Sequence, residues 1–109
     1  MADEISPKET KALLEDEKAV LVDVRESEET ASGMAEGAKW FPTSKMSETD
    51  PEWKSFLGAL DRGKTIVLYC ASGQRSEGVA DYLAQNGFRT ANMGGFSDWV
   101  SAGYPVKSS

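Results

Sequence analysis

The chain holds one cysteine, Cys70, and no histidine. Those two counts decide most of its possible chemistry. Without an imidazole there is no Ser-His-Asp triad, no Cys-His dyad and no His-ligated metal. With a single thiol there is no internal disulfide, no CxxC redox pair and no cysteine zinc site. A nucleophilic Cys70 must be activated by something else, and the residues after it supply the means. Ala71, Ser72, Gly73 and Gln74 are four small or polar residues with a central glycine, followed by Arg75 and Ser76 at a predicted helix start. Such a loop lets successive backbone N–H groups turn inward on one spot. The helix N-terminus adds about half a positive charge behind the loop, and Arg75 adds a full one. Together these lower the thiol pKa below ~8.5 and hold an anion next to sulfur. The plainer alternative is a small hydrophobe at a strand end. The order strand, cysteine, glycine loop, arginine, helix favours the reactive reading.

Loop length separates the chemistries. Cys70 to Arg75 is C-x4-R, one residue shorter than the C-x5-R loop that encircles a phosphoryl group in cysteine phosphatases. The tighter ring suits a smaller guest, such as one extra sulfur atom carried on the cysteine. A phosphatase also needs a general acid for the leaving alcohol. None lies near the loop in sequence, although Asp23 is able to approach in space.

The elements that must position these groups alternate along the chain. Ser6-Pro7-Lys8-Glu9 forms a capping box with proline at the first helical position, opening a helix with Leu13 and Leu14. Residues 19–24, AVLVDV, are an apolar, β-branched run that reads as a strand buried on both faces. Ser27-Glu28-Glu29 starts a brief helix, and Lys39-Trp40-Phe41 reads as a short strand. Asp50-Pro51 caps a helix with Trp53, Phe56, Leu57 and Leu60 on one face. Residues 65–70, TIVLYC, are the second strong strand. A helix runs from about Arg75 to Asn86, closed by Gly87. Phe88 to Met93 is a further strand, Gly94-Gly95 a turn, and Phe96 to Ser101 a short helix. Strands separated by helices predict an α/β fold with a parallel or mostly parallel sheet covered on both faces. Ser76 is expected to cap the helix, with donation to the Cys70 sulfur as the alternative, Arg25 to form a structural ion pair with Asp23, Glu26 or Glu28, and Trp40, Trp53 and Trp99 to lie in the core. Gly94 and Gly95 are expected to permit close backbone approach near the Cys70 loop.

Twelve basic against eighteen acidic residues give a net charge of −6. An acidic chain is a poor candidate for nucleic-acid or anionic-membrane binding. The excess sits in residues 1–36, so the second half is able to host an anion. The longest apolar stretch, Ile66 to Ala71, is far shorter than the ~20 residues a membrane helix needs, and the N-terminus has no apolar signal region. Residues 1–109 read as one domain, expected in a reducing compartment: the cytoplasm, or an organelle if the chain is a processed form.

Several segments, in order, resemble a known family. Residues 22–26 read VDVRE, 33–38 GMAEGA, 70–76 CASGQRS, 94–99 GGFSDW and 102–106 AGYPV. Their order and co-occurrence resemble a rhodanese homology domain over nearly the whole chain. The resemblance implies a five-stranded, mainly parallel sheet with helices on both faces. It also implies a sulfurtransferase whose cysteine takes a sulfane sulfur from thiosulfate or a persulfide and passes it to a nucleophile. Cys70 falls on the family's nucleophile, Ala71 to Arg75 on its active-site loop with Ser76 beside it, and Asp23 and Arg25 on a supporting motif next to that loop. The family's second signature usually reads GHIPGA; here GMAEGA lacks its histidine and proline, and the segment is expected to be structural. No metal or cofactor is implied. A persulfide on Cys70 has no internal thiol to resolve it, so the acceptor must be external: a small thiol, cyanide or a partner protein's cysteine. A sulfur carrier or interaction module loaded by a partner protein remains open, and a cysteine phosphatase or arsenate reductase is disfavoured by loop length.

Overall fold

A computed structural model describes residues 2–108 of the chain. The elements in order are β1 (Asp3–Glu4), α1 (Pro7–Glu15), β2 (Ala19–Asp23), α2 (Ser27–Thr30), β3 (Met34–Ala35), β4 (Lys39–Trp40), a 3-10 turn (Thr43–Lys45), α3 (Pro51–Ala59), β5 (Thr65–Cys70), α4 (Gln74–Gln85), β6 (Arg89–Gly95), α5 (Phe96–Ser101) and β7 (Val106–Lys107). Five strands form one sheet in the order β1-β6-β5-β2-β4, and every pairing in it is parallel. β3 and β7 make a separate antiparallel pair. The GMAEGA segment thus has a structural use, pairing with the C-terminal tail.

Local chemistry sets the helix starts. The Ser6 hydroxyl accepts from the Glu9 N–H at 3.0 Å, and the Ser6 N–H donates to the Glu9 carboxylate at 3.2 Å. Asp50 accepts from the Glu52 N–H at 2.8 Å, with Pro51 at the first helical position. At the far end of α4, Gly87 takes φ +89°, where a side chain would be strained.

The strands' period of two sorts side chains onto two cores. On one face Val22, Val24, Ile66, Leu68 and Cys70 pack with Trp53 of α3 and with Val79, Ala80 and Leu83 of α4. On the other, Leu21, Val67, Tyr69 and Met93 pack with Trp99 of α5 and with Leu13 and Leu14 of α1. Helices therefore cover both faces. Cys70 shares parity with Ile66 and Leu68, which places its sulfur on the α4 side, at the carboxyl edge of a central strand. Trp53 and Trp99 are core residues as expected, but Trp40 is 41% exposed. It lies on the edge strand β4, and its indole N–H donates to the Arg25 carbonyl at 2.8 Å instead of packing inside.

Candidate active site

β5 ends at Cys70, the chain turns through Ala71, Ser72 and Gly73, and α4 begins at Gln74. Gly73 is the turning point, with φ +97°, and a Cβ there would lie 3.2 Å from the Gly94 Cα. The turn brings backbone donors back onto the sulfur. The Gly73 N–H donates to Cys70 Sγ at 3.0 Å, and the Ser72 and Ser76 N–H groups are also directed at it. The Ser76 hydroxyl lies 3.3 Å from the same sulfur. Cys70 is fully buried, while Ala71, Ser72 and Gln74 are exposed. Burial alone pushes the thiol pKa up. The Ser76 hydroxyl and the N–H groups of Ser76, Gly73 and Ser72 outweigh it and bring the thiol below its ordinary value.

Ser76 does not cap α4. Gly73 occupies the cap position, so Ser76 lies inside the first turn and its side chain faces inward. Its hydroxyl carries one proton and has two acceptors within reach, Cys70 Sγ at 3.3 Å and Asn92 Oδ1 at 2.7 Å. The bland capping role is thereby replaced by a contact to sulfur. Sequence reasoning missed Asn92. Its Nδ2 donates to the Gly73 carbonyl at 3.0 Å, and its Oδ1 also accepts from the Gly94 N–H at 3.0 Å. Asn92 pairs with Leu68 in register and so shares the face on which Cys70 lies. Residues 88–93 read FRTANM, with Arg89 and Thr90 polar as well, so nothing in the sequence singled out Asn92.

Arg75 also differs from expectation. The sequence reading gave it to an external anion, but its two terminal nitrogens hold the Glu29 carboxylate at 2.7 and 2.8 Å. The anion that makes a guanidinium tolerable at this helix start is a side chain of the same molecule. Hydrogen bonds from Arg75 hold the Glu29 carboxyl down at about 2, and Glu29 in turn raises Arg75. Glu29 is anchored from behind, since its carboxylate also accepts from the Glu26 N–H at 3.0 Å.

Asp23 and Arg25 form the expected ion pair, 2.8 Å apart and nearly free of solvent. Arg25 lies over the Phe96 ring at 4.2 Å and donates to the carbonyls of Gly33 at 2.7 Å and Glu29 at 3.3 Å. Tyr69, beside Asp23 in the sheet, has its hydroxyl hydrogen-bonded to that carboxylate and accepts the Ala35 N–H at 3.0 Å. Breaking such a buried pair costs roughly 3–5 kcal/mol. The pair holds the end of β2 and the α2 segment, and α2 presents Glu29 to Arg75.

Gly95 fits the close approach predicted for it. A Cβ at that position would stand 2.5 Å from the Ala71 carbonyl oxygen. The end of β6 is thus pressed against the Cys70 loop.

A model of the rhodanese-like domain matches residues 6–102. The chain belongs to the rhodanese-like domain family. YtwF of Bacillus subtilis (strain 168), provisionally named a sulfurtransferase, is 39% identical over 98 residues, spanning 88% of each chain. The thiosulfate sulfurtransferase GlpE of Actinobacillus succinogenes is 29% identical over 107 residues, covering 96% of this chain and 90% of GlpE. A crystal structure of a rhodanese-related protein from Thermoplasma volcanium superposes with TM-score 0.80 at 28% identity, covering 98% of this rhodanese-like chain and 99% of that one. The fold is rhodanese-like, and the relatives' names support sulfurtransferase activity in general. Among the described residues no helix is long and apolar enough to cross a membrane.

Proposed function

We propose that this rhodanese-like domain is a sulfurtransferase that carries sulfane sulfur on Cys70, taking it from thiosulfate or a persulfide and giving it to an external acceptor. The observation that carries the reading is the ring of donors around one thiol: the Gly73 N–H at 3.0 Å, the Ser76 hydroxyl at 3.3 Å and the neighbouring N–H groups of the loop. They favour the ionised form of the sulfur and are placed to support negative charge on a second sulfur in its place. In the loading step the Cys70 thiolate attacks the outer sulfur of the donor and the donor's S–S bond breaks. Sulfite leaves with the electron pair when thiosulfate is the donor. In the second step a thiolate or cyanide attacks the outer sulfur of the persulfide and restores the Cys70 thiolate. With one cysteine in the chain, that acceptor is another molecule. Because the Cys70 sulfur is buried, the loop of residues 71–74 shifts during each exchange.

A second reading, a sulfur carrier loaded by a partner protein, is favoured by one observation. Glu29 occupies Arg75, which leaves thiosulfate a weaker electrostatic hold. A very high thiosulfate KM with fast uptake from a protein persulfide would mark the carrier. Phosphatase chemistry fits poorly: the loop is short, and Asp23, the candidate acid for a leaving group, is engaged by Arg25 and Tyr69. The test is intact mass after mixing with thiosulfate. The wild type is expected to gain one sulfur atom and Cys70→Ala none; equal gain in both, or gain in neither, overturns the proposal.

A further inference from the structure

Behind the Cys70 sulfur lies a buried polar pair, Ser76 with no exposed surface and Asn92 8% exposed. The Ser76 hydroxyl carries one proton and stands between two acceptors, Cys70 Sγ at 3.3 Å and Asn92 Oδ1 at 2.7 Å. Two backbone groups fix which end of the Asn92 amide faces it. The Gly94 N–H donates to Oδ1 at 3.0 Å, and Nδ2 donates to the Gly73 carbonyl at 3.0 Å. A flipped amide would set N–H against N–H and oxygen against oxygen. The atom offered to Ser76 is therefore an acceptor only, and the hydroxyl turns toward sulfur or toward Oδ1.

Charge on the inner sulfur decides the direction. A thiolate draws the proton to Sγ. In loading, the thiolate attacks the outer sulfur of thiosulfate, the donor's S–S bond breaks, and sulfite leaves with the electron pair. The negative charge then sits one atom further out, and Sγ is a neutral, weakly accepting sulfur. A buried hydroxyl still aimed at it would lose most of its bond. We propose that Asn92 is a positioning residue for sulfur loading: its Oδ1 takes over the Ser76 hydroxyl when Cys70 Sγ passes its charge to the transferred sulfur, and releases it when the thiolate returns. The proposal rests on the sulfurtransferase reading and adds a residue to it. The proton stays on the Ser76 oxygen throughout, and only the direction of the O–H bond changes.

Two opposite consequences follow from losing Oδ1. The hydroxyl is pinned on Sγ, so the thiol becomes more acidic, and the persulfide loses its support. A residue that only braced the loop would behave otherwise, because N–H groups that lose their aim make the thiol less acidic. The charged groups on the surrounding elements are Arg75 with its partner Glu29, and Glu77 in the first turn of α4. Asp23 of β2, beside Tyr69, faces the other side of the sheet. None of them is altered in the test.

Asn92→Ala is made in the wild type and in Ser76→Ala. Loss of the bonds to Gly94 and Gly73 is common to both backgrounds and cancels in the comparison. Asn92→Leu, nearer in volume, repeats the cycle, and melting curves establish that each protein is folded. Cys70 acidity is read from thiolate absorbance against pH. The persulfide fraction is read by intact mass at equilibrium with a fixed ratio of thiosulfate to sulfite. Relative to its effect in Ser76→Ala, Asn92→Ala in the wild type is expected to raise the acid dissociation constant of Cys70 about threefold or more, and to lower the loading equilibrium constant by a similar factor. Equal effects in the two backgrounds, or the two constants moving in the same direction, overturn the role of Asn92. Failure of the wild type to take up sulfur overturns the sulfurtransferase reading, and this role with it. The acidity cycle is read without any sulfur donor, so the two failures are distinct.

Discussion

At the level of single residues, the acidity of Cys70 comes from hydrogen bonds and not from a neighbouring unpaired charge. The Gly73 N–H at 3.0 Å and the Ser76 hydroxyl at 3.3 Å act directly on the sulfur, whereas Arg75 is half of an ion pair with Glu29. Relieving that pair should change how the site treats anions. A lone charge a few ångströms from a dianion contributes roughly 1–2 kcal/mol in a watery environment. Glu29→Gln is therefore expected to lower the KM for thiosulfate by about three- to tenfold, with a smaller effect on a monoanionic thiosulfonate. Arg75→Ala leaves Glu29 as an unpaired carboxylate and should raise the thiosulfate KM in the same proportion. Steady-state kinetics of the two variants check this; equal effects on both donors would contradict it. The Glu29 carboxyl is held at about 2, below its unfolded value, so the pair's contribution is present above the ordinary carboxylate range. It is lost progressively as pH falls from the ordinary value of 4.5 through about 2.

At the level of elements, the loop is held from outside by the end of β6. Gly95 leaves room for the Ala71 carbonyl, Gly94 faces Gly73, and Asn92 ties the Gly73 carbonyl to the Ser76 hydroxyl. Gly95→Ala places a methyl group 2.5 Å from the Ala71 oxygen and must push the loop away. It is expected to cost about 1–3 kcal/mol of stability and to raise the Cys70 pKa, because the N–H groups lose their aim. Denaturant melts and thiol titration of that variant measure both, and an unaltered pKa would contradict the bracing role. Much of this scale was legible in the sequence. Ser6-Pro7, Asp50-Pro51 and Gly87 carry their own punctuation, and the runs 19–24 and 65–70 declare buried strands. Three features were not legible. The two-residue strands β1, β3 and β7 are too short to show a period and exist through pairing with distant partners. The Glu29–Arg75 pair joins residues 46 apart, and nothing local distinguishes Glu29 from its acidic neighbours. Asn92 meets Ser76 through the register of β6 on β5, which only the assembled sheet sets.

At the level of the whole molecule, parallel strands with helices on both faces put Cys70 at the carboxyl edge of a central strand, where α/β sheets collect their ligands. The net charge of −6 works against a dianionic donor at long range. Raising ionic strength from ~0.01 to ~0.15 M shortens the screening length from ~30 to ~8 Å, so the thiosulfate KM is expected to fall as salt is added. A KM that rises with salt, measured over that range, would mean that local attraction dominates. The same folded arrangement is what makes the cysteine acidic, since an unfolded chain has no loop to aim its N–H groups. The most direct measurement is therefore the pH dependence of Cys70 thiolate absorbance in the native protein and in the same protein unfolded in denaturant. The native midpoint is predicted to lie below the unfolded one. A native midpoint equal to or above it would contradict the account.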